Sequence, residues 1–320
     1  MERNDVMRTE VSTDTSTLSV KGSGIAYLKR QWPLYAMIVV PMAFFIIFRY
    51  IPMAGVMVAF KDYNIFKGVW ASPWVGFAVF KEIFSMPEFY KALRNTLMLN
   101  VLGLLTFPVP IILALLLNEL RTQWYKKVSQ TLMYLPHFIS WVIVGGMAIE
   151  LLSTNNGSIN HMLIAIGASP IPFLEKPALW ITTYVGTGVW RNAGWGTILY
   201  LAALTGINKE LYEAAEVDGA ARMRKIWHIT LPGIKPTIVV LFILQIGNMA
   251  NISFEQPYVL KNAYVMDYAQ VISTYVYSVG IQSARFALAT AVGLFQSVVG
   301  LILLLSAEFI SRKINQQGIF

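Results

Sequence analysis

From position 32 onward the chain is built of long apolar runs separated by short polar stretches. Six of these runs predict membrane-crossing helices, at residues 32–60, 95–118, 128–152, 177–206, 236–254 and 286–307. At ~1.5 Å of rise per residue, each is long enough to cross a hydrocarbon core of ~30 Å. The second and sixth carry no charge. The first is interrupted by Arg49 and Pro52, the third has Glu150 near its end, and the fourth contains Arg191. Between the first two runs, Trp70, Trp74, Phe77, Phe80, Phe84, Phe89 and Tyr90 predict short interfacial helices anchored by aromatic rings. Residues 1–31 are polar and rich in Ser, Thr and charge, which predicts a disordered tail. No short apolar core followed by a small-residue cleavage site occurs there, so the tail is expected to be retained rather than removed as a signal peptide.

Composition supports a membrane protein. Of 320 residues, 56% are hydrophobic and 13% charged, against about 25% charged in an ordinary soluble domain. The net charge of +8 then reads as topology rather than as a nucleic-acid footprint. With the N-terminus inside, fifteen Lys and Arg fall on the cytoplasmic side and eight on the other, which favours both termini in the cytoplasm. The expected organisation is a tail at 1–31, a six-helix transmembrane domain at 32–311 containing a cytoplasmic loop at 207–233, and a C-terminal tail at 312–320.

The chemistry available is narrow. There is no cysteine, which excludes disulfides and thiolate catalysis, and the histidines His137, His161 and His228 are too far apart in sequence for a ready zinc site. No GxxxxGK[ST] phosphate loop is present, so ATP is not bound in the P-loop manner. No converging acid–base set suggests an enzyme. Acidic residues are nearly absent from the span interiors, which argues against an ion-coupled secondary transporter, although an ATP-independent transporter or channel stays open as the alternative.

The loop LYEAAEVDGAARMRKIWHITLP is the most informative segment. Residues 211–218 suit a helix, Gly219 can adopt positive φ and end it, and residues 220–228 suit a second helix with Met223, Ile226 and Trp227 as an apolar stripe. Pro232 is expected to stop this helix–turn–helix before the fifth span. Ala214 and Ala215 are small enough for another protein to approach the backbone, and Glu213, Glu216 and Asp218 offer charge to basic partners. On pattern alone, an amphipathic loop with a solvated acidic face fits equally well. The spacing goes further. Glu213-Ala214-Ala215, three residues, Gly219, nine residues and then Ile229-Thr230-Leu231-Pro232 resembles the EAA signature of bacterial ATP-binding-cassette (ABC) importer permeases. The resemblance implies a type I importer permease fold in which this loop is the coupling helix. Glu213, Ala214, Ala215, Asp218, Gly219, Ile229, Leu231 and Pro232 would then seat on an ATP-binding subunit.

Further segments resemble the LplB-like branch of carbohydrate permeases: Pro52-Met53, residues 59–64 and 72–76, Tyr134-Leu135-Pro136-His137-Phe138, residues 200–204 and residues 274–277. That branch is similar to the maltose-type permeases and includes importers of acidic oligosaccharides such as alginate or pectin fragments. The resemblance implies a second, different permease as partner in a heterodimer, two ATP-binding subunits that hold ATP and Mg, an extracytoplasmic solute-binding protein, and a place in the bacterial inner membrane. No cofactor is expected in this chain.

A sugar path through lipid needs polar and aromatic side chains at mid-depth. The fourth span supplies Trp190, Arg191, Asn192 and Trp195, and the fifth Gln245, Asn248 and Asn251, the last two expected on one helical face. Amides at such positions also serve as glue between helices. An arginine there costs about 2.5–3.5 kcal/mol on the insertion scale, which favours a watery cavity. Resemblance to maltose-type permeases adds Gly188, Leu244 and Gly247 to the path, and Arg191 would suit a carboxylated sugar. Arg49 is read as a headgroup anchor, His137 after Pro136 as a structural bend, and Pro108 with Pro110 as a hinge.

Overall fold

The structure is a computed structural model that describes residues 31–315. The tail expected at 1–31 lies outside the described residues apart from Gln31, as does the end of the chain from 316. The principal helices are α1 (Trp32–Phe45), α2 (Pro87–Leu105), α3 (Pro108–Asn118), α4 (Gln123–Tyr134), α5 (Trp141–Leu152), α6 (Pro177–Thr205), α7 (Lys209–Val217), α8 (Leu231–Gly247) and α9 (Phe286–Asn315). One antiparallel bridge, Lys61 to Trp74, is the only β pairing among the described residues.

Proline sits in the first turn of α1, α2, α3 and α6, where its missing N–H would have had no helical partner. Residues up to Gly55 form one compact unit and those from Val56 a second. In the first unit, α1 runs into a π turn at Ile46–Tyr50 and a last turn at Ile51–Met53, with no buried residue. The second unit has the same device at Ile226–Thr230, just before α8. In both cases a proline, Pro52 or Pro232, follows one residue later. Its absent N–H breaks the regular ladder, and a wider turn accommodates the break.

In the second unit, α6 packs along α3, and α8 packs along α9. Three apolar clusters hold it. One joins Ile83, Phe89, Ala92, Ile272, Ala291 and Val292. Another gathers Leu99, Trp180, Val265 and Val271. The third places Ala114, Tyr200, Leu204 and Ile234 together. The segment between α8 and α9 is pinned by buried polar side chains. The fully buried Asn95 amide donates to the carbonyls of Asp267 (2.8 Å) and Gln270 (2.9 Å), and the Ile272 N–H donates to the Thr96 hydroxyl at 2.9 Å. Trp180 Nε1 donates to the Leu260 carbonyl at 2.9 Å. Unpaired, these groups would each cost about 1–3 kcal/mol, so paired they fix one arrangement.

Among the described residues, four helices are long and apolar enough to cross a membrane: Trp32–Phe60, Pro87–Asn118, Arg222–Ala250 and Phe286–Lys313. The expected third span is bent by 99° between Gln123–Phe138 and Trp141–Leu152, with Pro136 and His137 in the bend. The expected fourth span, α6, has 29 residues but is diluted by Thr, Gly, Asn192 and Arg191 and is not among those four. The fifth span differs most from expectation. It does not begin at Pro236, and Pro232 does not stop a preceding helix. Residues 222–250 form one helical run containing the π turn, and Pro236 lies inside it. The stretch expected to be a separate second helix is therefore the first part of this run. At the other end, α9 continues past residue 307 to Asn315, into the stretch expected as a tail.

Candidate functional site: a central cavity and a coupling helix

A cavity of about 450 Å³ opens between α2, α3, α6, α8 and the segment after α8. From α6, Gly188, Asn192 and Gly196 line it, four residues apart and so on one helical face. Both glycines keep space for their neighbours: a Cβ at 188 would meet the Gln256 amide at 3.5 Å, and one at 196 would meet the Pro110 ring at 3.2 Å. Gln245 and Asn251 face the same cavity, as do Asn100, Thr106, Phe107, Tyr184, Tyr200 and Gln256.

The other path residues expected from the sequence lie elsewhere. Trp190, Arg191 and Trp195 are turned off the 188–192–196 face and do not line the cavity. Gly247 is a packing residue, since a Cβ there would come within 2.6 Å of Leu304 on α9. Leu244 is exposed outside the cavity, and Asn248 donates to the Leu244 carbonyl of its own helix at 3.0 Å. Asn248 and Asn251 do not share a helical face. The chain leaves the helix through a 3₁₀ turn, Asn248–Ala250, and Asn251 is extended at φ −112°. That departure lets Asn251 accept from Gln296 Nε2 on α9 at 2.9 Å, while its carbonyl and that of Met249 face the Asn100 amide. Asn100, Gln256 and Gln296 were not singled out from the sequence. Asn100 lies in an apolar run, Gln296 lies in another and Gln256 follows Glu255 in a short polar stretch, and only contact with a distant segment gives each a role.

Arg191 sits in the crook of the bend before α5. Its Nε donates to the Ile139 carbonyl at 2.9 Å, its Nη1 to Asn192 Oδ1 at 3.3 Å, and its guanidinium lies 4.8 Å from the Trp141 ring centre. These contacts hold a cation half-buried without a carboxylate ion pair.

At the other end of α6, a tight loop leads into α7. Asn208 caps α7, its Oδ1 accepting from the Glu210 N–H at 3.0 Å. Gly219 ends it at φ +72°, with Gly219 N–H bonded to the Glu216 carbonyl (3.0 Å) and Ala220 N–H to Ala215 (2.8 Å). This is a Schellman closure, which needs a left-handed residue at that place. Two ties join α7 to the start of α8: the Tyr212 and Thr230 hydroxyls meet at 3.0 Å, and Lys225 pairs with Glu216 at 2.7 Å. The hydrogen bond and charge of Lys225 hold the Glu216 carboxyl below its ordinary range. Glu213, Ala214, Val217 and Asp218 remain exposed, and neither Glu213 nor Asp218 forms an ion pair among the described residues. Leu231 turns inward onto the Tyr200–Leu204–Ile234 cluster, Ile229 is half-buried in the π turn, and Pro232 is exposed. Ile207 packs on the same cluster and against Gly233, so both ends of the loop are anchored in one core.

The family model for the binding-protein-dependent transport system inner membrane component matches residues 106–316, which take in α3, the cavity face of α6, α7 and α8. The chain belongs to that family. The permease is 46% identical over 303 residues to Protein LplB of Bacillus subtilis (strain 168), covering 93% of this chain and 95% of that one. It is also 46% identical over 294 residues to the polygalacturonan/rhamnogalacturonan transport system permease protein YteP of the same organism, covering 92% of each. Among solved structures, a chain of a bacterial ABC transporter involved in the import of the acidic polysaccharide alginate superposes with a TM-score of 0.84 at 43% identity. That match covers 91% of the permease and 99% of that chain. The fold is accordingly that of a type I ABC importer permease, a multi-pass membrane subunit. A chain from the solved structure of a bacterial alginate ABC transporter in complex with an alginate pentasaccharide-bound periplasmic protein also superposes, with a TM-score of 0.84 at 43% identity.

Proposed function

We propose that this permease forms one half of the path by which an ABC importer takes up an acidic oligosaccharide, and that α7 couples the path to an ATP-binding subunit. The observation that carries this reading is structural continuity. A polar, aromatic-lined cavity of about 450 Å³ runs along α6 from Tyr184 to Tyr200, and the exposed α7 follows the end of that helix at Thr205, with α8 tied to both. A movement of α7 is thereby transmitted to Gly188, Asn192 and Gln245 without an intervening flexible linker. The identities to permeases named for pectic polysaccharides and alginate support sugar acids as cargo.

In this reading the permease sits in the bacterial inner membrane with six crossings and both termini in the cytoplasm. It pairs with a second, different permease, two subunits that bind ATP and Mg, and an extracytoplasmic receptor. Glu213 faces a basic group of the ATP-binding subunit, a role left to it because Glu216 is already paired with Lys225. Purifying the complex, identifying the co-purifying subunits and screening oligosaccharides for stimulation of ATP hydrolysis tests the proposal. Oligouronates carried by the receptor are expected to stimulate hydrolysis. Glu213→Lys is expected to release the ATP-binding subunits or to abolish stimulation, since reversing a charge at such a contact costs about 2–5 kcal/mol. Wild-type coupling in that variant would remove α7 from the role assigned to it.

A further inference from the structure

A second group of side chains lies beside the cavity and is joined to it by one residue. The His137 ring stacks on Trp195 with centroids 4.6 Å apart and planes within 5°. His137 Nδ1 lies 3.3 Å from Asn192 Oδ1, the same oxygen that accepts from Arg191 at 3.3 Å. Asn192 itself lines the cavity. Phe138 meets Trp195 edge-on at 6.0 Å, and both rings are largely open, Phe138 at 72% and Trp195 at 46%.

Each contact restricts what these groups can do. The Trp195 stack fixes the imidazole plane, and Nδ1 donates to Asn192 Oδ1, so Nε2 is turned away from Asn192 and donates to a carboxylate when the ring carries its second proton. Arg191 uses Nε and Nη1 on Ile139 and Asn192, so N–H groups of the guanidinium remain available. A guanidinium and an imidazole directed by one amide form a paired site for a carboxylate, and the open indole and phenyl faces suit the apolar face of a sugar ring. No Asp or Glu forms an ion pair with either group among the described residues. Asn192 bridges the two surfaces: it lines the cavity while its Oδ1 meets both His137 Nδ1 and Arg191 Nη1.

We propose that His137, acting with Arg191 across Asn192, is a specificity-determining residue that reads the carboxylate of a sugar acid at the edge of the cavity. This rests on the acidic-oligosaccharide reading above and assigns the part of the site that recognises the acid.

The test uses the full complex, with both permeases, the ATP-binding subunits and the receptor, in proteoliposomes. The probes are a pentauronate and its carboxyl-reduced neutral counterpart of the same linkage. The quantity read is the ratio of the two KM values in each variant relative to wild type, in which the receptor's own preference divides out. His137→Gln is expected to raise KM for the pentauronate about tenfold, as loss of one charge-assisted hydrogen bond does, and to leave KM for the reduced sugar within about twofold. Asn192→Asp, which sets a carboxylate between the two cationic groups, is expected to shift the ratio in the same direction. It supplies the answer if His137→Gln does not assemble. Equal changes for both probes, or an unchanged ratio in the assembled variants, overturn the role of His137. A wild-type complex that handles the two probes with equal KM overturns the acidic-substrate reading itself, and the two failures are thereby distinguished.

Discussion

The α7 loop follows the C-terminal end of α6, the cavity wall runs along the same helix from Tyr184 to Tyr200, and the two are built in opposite ways. The loop around α7 is local: its cap, its turn and its ion pair join residues within a stretch of about two dozen positions, from Asn208 to Thr230. The cavity wall is not. Asn100 reaches across 149 positions to Met249, Gln256 across 72 to Tyr184, and Gln296 across 45 to Asn251. A surface that must fit a separate motor subunit can be specified by a short rigid insert. A cavity that must open and close has to be shared among helices able to shift against one another. The contrast also explains the distribution of glycine. Gly219 serves a backbone dihedral, whereas Gly194 serves close approach, its missing Cβ making room for the Met133 carbonyl from α4.

That comparison can be broken most sharply at Gly194. Gly194→Val forces a side chain into the Met133 backbone and is expected to cost about 3 kcal/mol, read as a large drop in the thermal midpoint of the purified complex. Gly186→Ala, which meets nothing within 4 Å, is the control and is expected to leave the midpoint nearly unmoved. Gly219→Val comes next. A β-branched residue at φ +72° is strained by roughly 1–2 kcal/mol, so the loop should lose its Schellman closure while the cavity keeps its shape. The expected result is several-fold weaker retention of the ATP-binding subunits on purification, with the thermal midpoint little changed.

A sharper division runs between two amides three positions apart. Asn251→Ala removes a cavity-lining group held by Gln296 and is expected to raise the transport KM about tenfold, or about 1.4 kcal/mol. Asn248→Ala removes a side chain that bonds only its own helix and is expected to change KM less than about twofold. Equal effects would return both residues to one helical face, against the extended backbone at Asn251. The smallest effect is expected at Glu216. Its carboxyl is held low by Lys225, so the pair contributes above the ordinary glutamate pKa and is lost as pH falls through the lowered value. Limited proteolysis of the loop should quicken only once the pH falls below the ordinary glutamate range, and Glu216→Gln should abolish that step.

What was legible in advance follows the same line. The EAA spacing, the cap-forming Gly219, the extent of α6 and the bend at Pro136–His137 could be read because each is governed by neighbours within a few turns. Pro232 and Pro236 misled, because proline is tolerated inside membrane helices when a π turn restores the ladder beside it, and the fifth run therefore begins at Arg222. Arg191 was expected to face a watery cavity, and it lies off the cavity lining instead. Its placement against Ile139 and Trp141 depended on a bend belonging to a different helix.

Hydrophobic run length and the positions of proline and glycine by themselves determined that this chain is helical and membrane-spanning with a short helical insert closed at Gly219, because those signals act through local backbone geometry and transfer from water, whereas the importer family was legible only through the resemblance of the EAA spacing. Tertiary structure alone decided which polar side chains face the cavity, which are packing groups, and that His137 stands beside Asn192 and Trp195. A helix one residue out of phase turns each side chain by about 100°, and only contacts between distant segments set that phase.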